Sequence, residues 1–323
     1  MRSKIIVIIA LSVIVVIFSS VLMENPRLID RGLYRLGFQE QVCVTETYDS
    51  DLKNVTNIAI AGDFGINENS VKTLKNIKSY EPEIVLMPGD LGQASAEEWF
   101  NISNIMDGQN MYVTFGDADI TERDKFQRHY GMEKGYFSFD YNNIHVLGIS
   151  TNDKKNEFGV ISNDKEQIDF ILTDLINSKE NDEIDFTIVF MHLPMYSSRI
   201  DGSFMDLRNE LQPIFDSYGV DLVISGHTHI YERTQSLTFD EIITNENDCY
   251  YDNTEGQIYL TVGTGGHSHV FFNQKHPWSI VQNHNDYGFL NLSVIEDDGI
   301  IIGKFVTNSG KIFDRFMIKI NDS

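Results

Sequence analysis

Basic side chains are in short supply in this chain. Its 323 residues hold 25 Lys and Arg against 48 Asp and Glu, a formal net charge of −23. A nucleic-acid binder neutralises phosphates with clustered cations, so no nucleic-acid partner is expected. Proline is also scarce, at 6 residues, which excludes a long Pro-rich linker architecture. Cysteine occurs only as Cys43 and Cys249. Two thiols build neither a disulfide-rich scaffold nor a Cys-based zinc site, but outside the cytoplasm they suffice for one bridge. Hydrophobic residues at 41% and aromatics at 11% exclude wholesale disorder.

The longest apolar run is Ile5–Met23, nineteen residues without a charge, preceded by Arg2 and Lys4. That length fits a membrane-spanning helix of about 20 residues better than a signal-peptide core of about 7–15. Basic residues before the run favour a cytoplasmic N-terminus. The expectation is an uncleaved signal anchor over residues 1–23, with everything after it on the extracytoplasmic side. Secretion after signal-peptide cleavage is the alternative. Residues 24–52 have mixed polarity and no sustained period, as a stalk would, and 53–323 suit one large domain. A Cys43–Cys249 bridge would tie stalk to body.

The body alternates short apolar runs with helical patterns. Asn57–Ala61, Ile84–Met87, Met111–Phe115, Ile144–Ile149, Thr187–Phe190 and Asp221–Ile224 read as buried strands. Ser70–Tyr80, Lys165–Asn177 and Asp206–Tyr218 carry apolar residues at helical spacing, with Asn69 and Asp164 as N-caps. This alternation predicts an α/β fold with a largely parallel sheet. After Tyr231 strands dominate: Gln257–Val262, Phe289–Ile295, Ile300–Thr307 and Ile312–Ile320. They predict a second, more antiparallel sheet. The expected architecture is two packed mixed β-sheets flanked by helices.

Chemistry collects where the strands end. Three runs lead into Gly62-Asp63, Gly89-Asp90 and Gly116-Asp117, with the aspartates spaced evenly by 27 residues. Two others lead into Met191-His192 and Gly226-His227-Thr228-His229. Parallel strands place their carboxyl ends along one edge, where ligands bind. Alone, a Gly-Asp after a strand is ordinary turn chemistry, and a single histidine at a strand end is usually packed and hydrogen-bonded. Gly-His-Thr-His is a stronger signal, because residues two apart on an extended chain point the same way. Three carboxylates converging with three imidazoles repel unless a cation compensates. Oxygen and imidazole donors without thiolate suit Mn, Fe or Zn. Six ligands exceed one tetrahedral site; they suit two metal ions about 3.5–4 Å apart, the arrangement used for phosphoryl transfer to water.

These motifs resemble the calcineurin-like metallophosphoesterase superfamily, particularly its purple acid phosphatase branch, over roughly residues 55–320. The resemblance implies a four-layer αββα sandwich. It implies that Asp63, Asp90 and His229 hold one ion, and that Asp90, Asp117, His192 and His227 hold the other, Asp90 bridging. The downstream Gly263-Thr-Gly-Gly-His and Tyr287-Gly-Phe-Leu segments are similar to the family's later strands. The activity it implies is metal-dependent hydrolysis of phosphate esters, with in-line attack by a metal-activated hydroxide. Small phosphomonoesters are the expected substrates.

Two positions depart from the family pattern. Gln93 stands where the purple branch has an iron-binding tyrosinate, so a tyrosinate-to-iron colour is not expected. Ala118 stands where the family has a histidine that stabilises or protonates the leaving group. Replacement donor candidates are His267, His269 and Asp119, the last more naturally a residue that orients its own loop. A catalytically weakened fold-mate that binds metal or a phosphorylated ligand is the competing expectation; a single-metal hydrolase of another ester is a third. Asn245–Glu255 reads as a solvated acidic insertion, and Asn54, Asn101, Asn291 and Asn321 begin glycosylation sequons.

Overall fold

The computed structural model describes residues 54–93, 95–151, 164–199, 202–239, 241–243, 248–252, 255–272 and 274–320. The expected span Ile5–Met23, the stalk and Cys43 lie outside them. Cys249 is disulfide-bonded. Among the described residues no helix is long and apolar enough to cross a membrane.

Strands β1 (Val55–Ile60), β2 (Ile84–Pro88) and β3 (Met111–Thr114) pair in parallel and alternate with helices α1 (Glu68–Ser79) and α2 (Ala96–Ser103). After α3 (Arg123–Tyr130) the chain enters a second sheet through β4 (Phe137–Tyr141), which pairs antiparallel with β5 (Ile144–Ile149). Strands β6 (Phe186–Met191) and β7 (Leu222–Ser225) extend it in parallel, with α4 (Lys165–Lys179) before β6 and α5 (Met205–Tyr218) between β6 and β7. The chain continues through β8 (Tyr231–Leu237), β9 (Ile242–Ile243), β10 (Tyr250–Asp252) and β11 (Gln257–Val262). It ends in β12 (Ser279–Asn283), β13 (Gly288–Ile295), β14 (Ile300–Thr307) and β15 (Ile312–Lys319).

Two mixed sheets are as expected, but the strands are not divided between them into an earlier, largely parallel set and a later, more antiparallel one. One sheet runs β10-β15-β14-β13-β1-β2-β3 and the other β12-β8-β11-β7-β6-β5-β4, with β9 on β8. Both are mixed. Strand β13 pairs antiparallel with β1, whereas β11, expected among the antiparallel strands, runs parallel to β7. Apolar runs state that both faces of a strand are buried but not which neighbour lies beside it.

Side-chain alternation builds the layers. Ile58, Ile60, Ile84 and Leu86 from one sheet meet Ile144, Val146, Ile188 and Phe190 from the other in the central core. The intervening Ala59, Val85 and Met87 face outward onto Leu74 and Ile77 of α1 and Trp99 of α2. In the second sheet Val189 and Met191 face outward onto Ile171 and Leu175 of α4 and Leu211 and Phe215 of α5. The order helix, sheet, sheet, helix is the expected sandwich. Its helices are fastened locally: Ser95 and Glu98 form a capping box on α2, and Asp164 accepts the Gln167 N–H at the start of α4. The cap of α1 is Asn67, not Asn69; its side chain accepts from the Asn69 and Ser70 N–H groups.

Candidate metal centre

The parallel cores of both sheets end at a common rim, and the rim is stitched across the sheets. Gly62 N–H donates to Val262 O at 2.9 Å, Gly265 N–H to Gly62 O at 2.8 Å, and His267 N–H to Asp63 O at 2.9 Å. Ligand candidates therefore converge from two sheets rather than from the edge of one. Asp63, Asp90 and Asp117 come from the first sheet; His192, His227 and His229 come from the second.

These six residues form two clusters, Asp63–Asp90–His229 and Asp117–His192–His227, in each of which one ligand atom per residue lies within 4.8 Å of the others. Asp117 Oδ1 is 3.0 Å from His192 Nε2 and 3.1 Å from His227 Nδ1. His229 Nε2 is 3.4 Å from Asp63 Oδ1. Asp90 joins the clusters, with its Oδ1 3.6 Å from His192 Nε2. Backbone carbonyls orient two of the rings. His192 Nδ1–H donates to Pro88 O at 2.8 Å and His229 Nδ1–H to Ser268 O at 2.9 Å. Each ring thus turns its Nε2 toward the carboxylates, the usual arrangement behind an imidazole ligand.

The backbone is bent to make this possible. Asp63, Asp90, His227 and His229 have φ of 58°, 51°, 68° and 52°. Left-handed geometry costs a non-glycine residue of order 1–3 kcal/mol and concentrates at functional sites. Gly116 has a different reason for its identity: a Cβ there would lie 2.0 Å from Asp90 Oδ1 and 2.7 Å from His192 Cε1.

The electrostatics call for a cation. Asp63 is fully buried, and among the described residues its carboxylate oxygens have no well-formed hydrogen bond, only the His229 ring at 3.4 Å. Burial and the neighbouring Asp63 and Asp117 charges raise the Asp90 carboxyl, with His192 opposing. Burial also pushes Asp117 upward, but hydrogen bonds from His192 and His227 outweigh it and hold it well below the carboxylate range. His192 is likewise buried, yet Asp90, Asp117 and Asp63 push it up to about 10. A divalent ion on these atoms meets the same demand and displaces that proton. The donor set of carboxylate oxygens and imidazole nitrogens fits two such ions.

The donor candidates fall in three places. His267 Nδ1 is 3.0 Å from His229 Nδ1, at the edge of the first cluster. His269 stacks on Tyr287 at 3.9 Å, and burial, followed by His284, lowers it to about 4. Asp119 is buried, and its carboxylate accepts the N–H groups of Asp90 at 2.8 Å, Leu91 at 3.0 Å and Gly116 at 2.8 Å. It braces the loops that carry Asp90 and Asp117. Burial and the Asp90 charge raise it to about 7 against those donors. Gln93 offers Nε2–H to Asp90 Oδ2 at 3.2 Å, and Ala118 N–H donates to Asp90 Oδ1 at 2.9 Å. Arg199 and Phe204 also border His227, and no motif in the sequence points to them.

Residues 56–231, just over half of the chain, match the calcineurin-like phosphoesterases. The chain belongs to that family. Among relatives of this calcineurin-like phosphoesterase, an uncharacterised protein of Mycobacterium tuberculosis is 32% identical over 147 residues, 41% of this chain and 28% of that one. The probable inactive purple acid phosphatase 24 of Arabidopsis thaliana is 31% identical over 112 residues, 34% of this chain and 18% of its own. The chain thus spans less than a third of either relative. The fold is shared with a purple acid phosphatase from yellow lupin seeds, at a TM-score of 0.71 and 23% identity, covering 83% of this chain and 54% of that one. The family uses a dinuclear metal centre, and the two clusters are candidate ligand groups for such a centre.

Proposed function

We propose that this phosphoesterase hydrolyses small phosphate monoesters at a dinuclear centre. Asp63, Asp90 and His229 hold one ion; Asp90, Asp117, His192 and His227 hold the other. The carrying observation is Asp63, a wholly buried carboxylate that has among the described residues no well-formed hydrogen-bond donor, its nearest ring nitrogen being His229 Nε2 at 3.4 Å. Such a group is costly unless a cation compensates it. Bound divalent ions supply Lewis-acid polarisation of the phosphoryl group and water of lowered pKa.

The chain's own residues do the rest. Pro88 O and Ser268 O hold the His192 and His229 rings in register. Asp119 braces the loops of Asp90 and Asp117 from behind. Ala118 has no proton to give, and His267 is the donor candidate whose ring touches a ligand side chain. The surplus of acidic residues disfavours nucleic acid as substrate.

Elemental analysis with a nitrophenyl phosphate assay on one sample tests the reading. It expects two ions per chain and hydrolysis that disappears in Asp90→Asn. A metal-free protein, or activity that survives that change, would contradict it; a single ion would favour the single-metal hydrolase. A second reading, a fold-mate that binds phosphorylated ligands without turnover, is favoured by Ala118, by the neutral Gln93 and by a relative named probable inactive. It expects two ions and phosphate binding but no hydrolysis. Membrane anchoring with the domain on the extracytoplasmic side rests on the Ile5–Met23 run. A mature N-terminus beyond Met23 would replace it with secretion.

A further inference from the structure

Six large hydrophobic side chains are exposed among the described residues, and three of them stand on segments that border the two ligand clusters. Ile66 follows Asp63 by three residues and lies against Gly92, where a Cβ would come within 3.2 Å of its Cδ1. Met205 follows Phe204, whose ring centroid is 5.3 Å from that of His227. Phe271 is the most exposed of the six, at 75%.

The loop that holds Phe271 in water is fastened on both sides of it. His267 N–H donates to Asp63 O at 2.9 Å, Asn67 Nδ2–H donates to Gly266 O at 3.0 Å, and Ser268 O receives the His229 ring. Beyond Phe271, Phe272 pairs with Arg199 in an antiparallel bridge. The Phe271 ring meets the buried His284 ring at 65°, with centroids 5.2 Å apart. Phe271 comes three residues after Ser268, so its Cα lies at most about 11 Å from that of the residue holding His229. Aromatic rings pair at centroid separations of about 4.5–7 Å. A ring carried by an ester at the centre therefore comes within pairing distance of Phe271.

The same kind of ester suits Ala118, which has no side-chain proton for a leaving group. In the hydrolysis, a water oxygen forms the new bond to phosphorus and the bond to the ester oxygen breaks. That oxygen leaves with the electron pair and takes its proton from solvent. A phenolate, whose conjugate acid has a pKa of about 10, leaves unprotonated far more readily than an alkoxide, whose conjugate acid lies near the ~15.7 of water.

We propose that the centre selects aryl over alkyl phosphate monoesters, and that Phe271 is the specificity-determining residue that pairs with the ring of the leaving group. This inference rests on the hydrolase reading above. The test is calorimetric titration of methylphosphonate and phenylphosphonate, which are not hydrolysed, into the metal-loaded full chain with ions counted in the same sample. Phenylphosphonate should bind about 3–10-fold more tightly, the worth of one aromatic pair. Phe271→Ser should erase that gap, with ion count, Tm and methylphosphonate affinity unchanged, and Phe271→Tyr should keep it. In kinetics, kcat/KM for phenyl phosphate should exceed that for hexyl phosphate by about 10²–10⁴-fold, the worth of the missing proton donor. Equal affinity of wild type for the two phosphonates, a gap that survives in Phe271→Ser, or equal kcat/KM for the two esters would overturn the proposal and leave the hydrolase reading standing. Fewer than two ions, or no hydrolysis of either ester, would overturn the hydrolase reading and this inference with it.

Discussion

Ala118 lends its N–H to Asp90 Oδ1 but has no side chain able to protonate a leaving group. Proton donation is worth about 10²–10⁴-fold in rate. Ala118→His should therefore raise kcat by up to about that range, more for alkyl than for nitrophenyl leaving groups. A kcat unchanged for both would mean that another residue, His267 first, already donates. Gln93 is the second informative position, since its amide already points at Asp90 Oδ2. Gln93→Tyr in iron-loaded protein should produce a visible charge-transfer band that the parent lacks; absorption spectra check it. Gly116 tolerates no side chain, because a methyl group there would press on Asp90 Oδ1 at 2.0 Å. Gly116→Ala should reduce the ion count measured by elemental analysis, as Asp90 is pushed off both clusters.

Strands β4 and β5 and helix α4 are joined by one imidazole, far in sequence from the ligand motifs. His145 is buried, with Nδ1 2.6 Å from Asp140 and Nε2 2.9 Å from Asp174, which also takes Ser138 Oγ at 2.5 Å. Burial lowers its pKa, but the hydrogen bonds and charges of Asp174 and Asp140 prevail and raise it above 6.5. A raised folded-state pKa means that the stabilisation is complete below the unfolded value of about 6.5 and is lost as pH rises through the folded value. The Tm gap between wild type and His145→Gln should accordingly be widest below about pH 6.5 and narrow on the alkaline side. A gap that widens with pH would refute this account of the fastening.

The sandwich as a whole encloses a set of like charges at its rim. The Asp63 loop is tied across the sheets by bonds such as Gly62 N–H to Val262 O, and the loops of Asp90 and Asp117 are joined through the Asp119 carboxylate. A ligand that binds only the folded state stabilises it by mass action, about 2.7 kcal/mol at a hundredfold excess over Kd. Removing divalent ions with a chelator should lower Tm, and restoring Mn, Zn or Fe should recover it. Asp63→Asn should blunt that response, because it removes the buried charge that a cation compensates. Differential scanning calorimetry with and without chelator measures both; a Tm indifferent to chelation would argue against a resident metal.

The six ligand candidates were legible because each follows an apolar run, and a strand end delivers its next residues to a predictable edge. Their chemistry also follows from residue type, since carboxylate and imidazole without thiolate narrows the metals. Long helices α1, α4 and α5 declare themselves by spacing, whereas the eight-residue α2 and α3 are too short for a periodic signal. What the one-dimensional pattern leaves open is partnership. Only the folded chain sets β13 beside β1 and β11 beside β7, turns Asp119 away to brace backbone, stacks His269 on Tyr287, and carries Arg199 to His227. The physical reason is that burial and turn chemistry are local demands written residue by residue, while the choice of neighbour is decided by packing two sheets against each other.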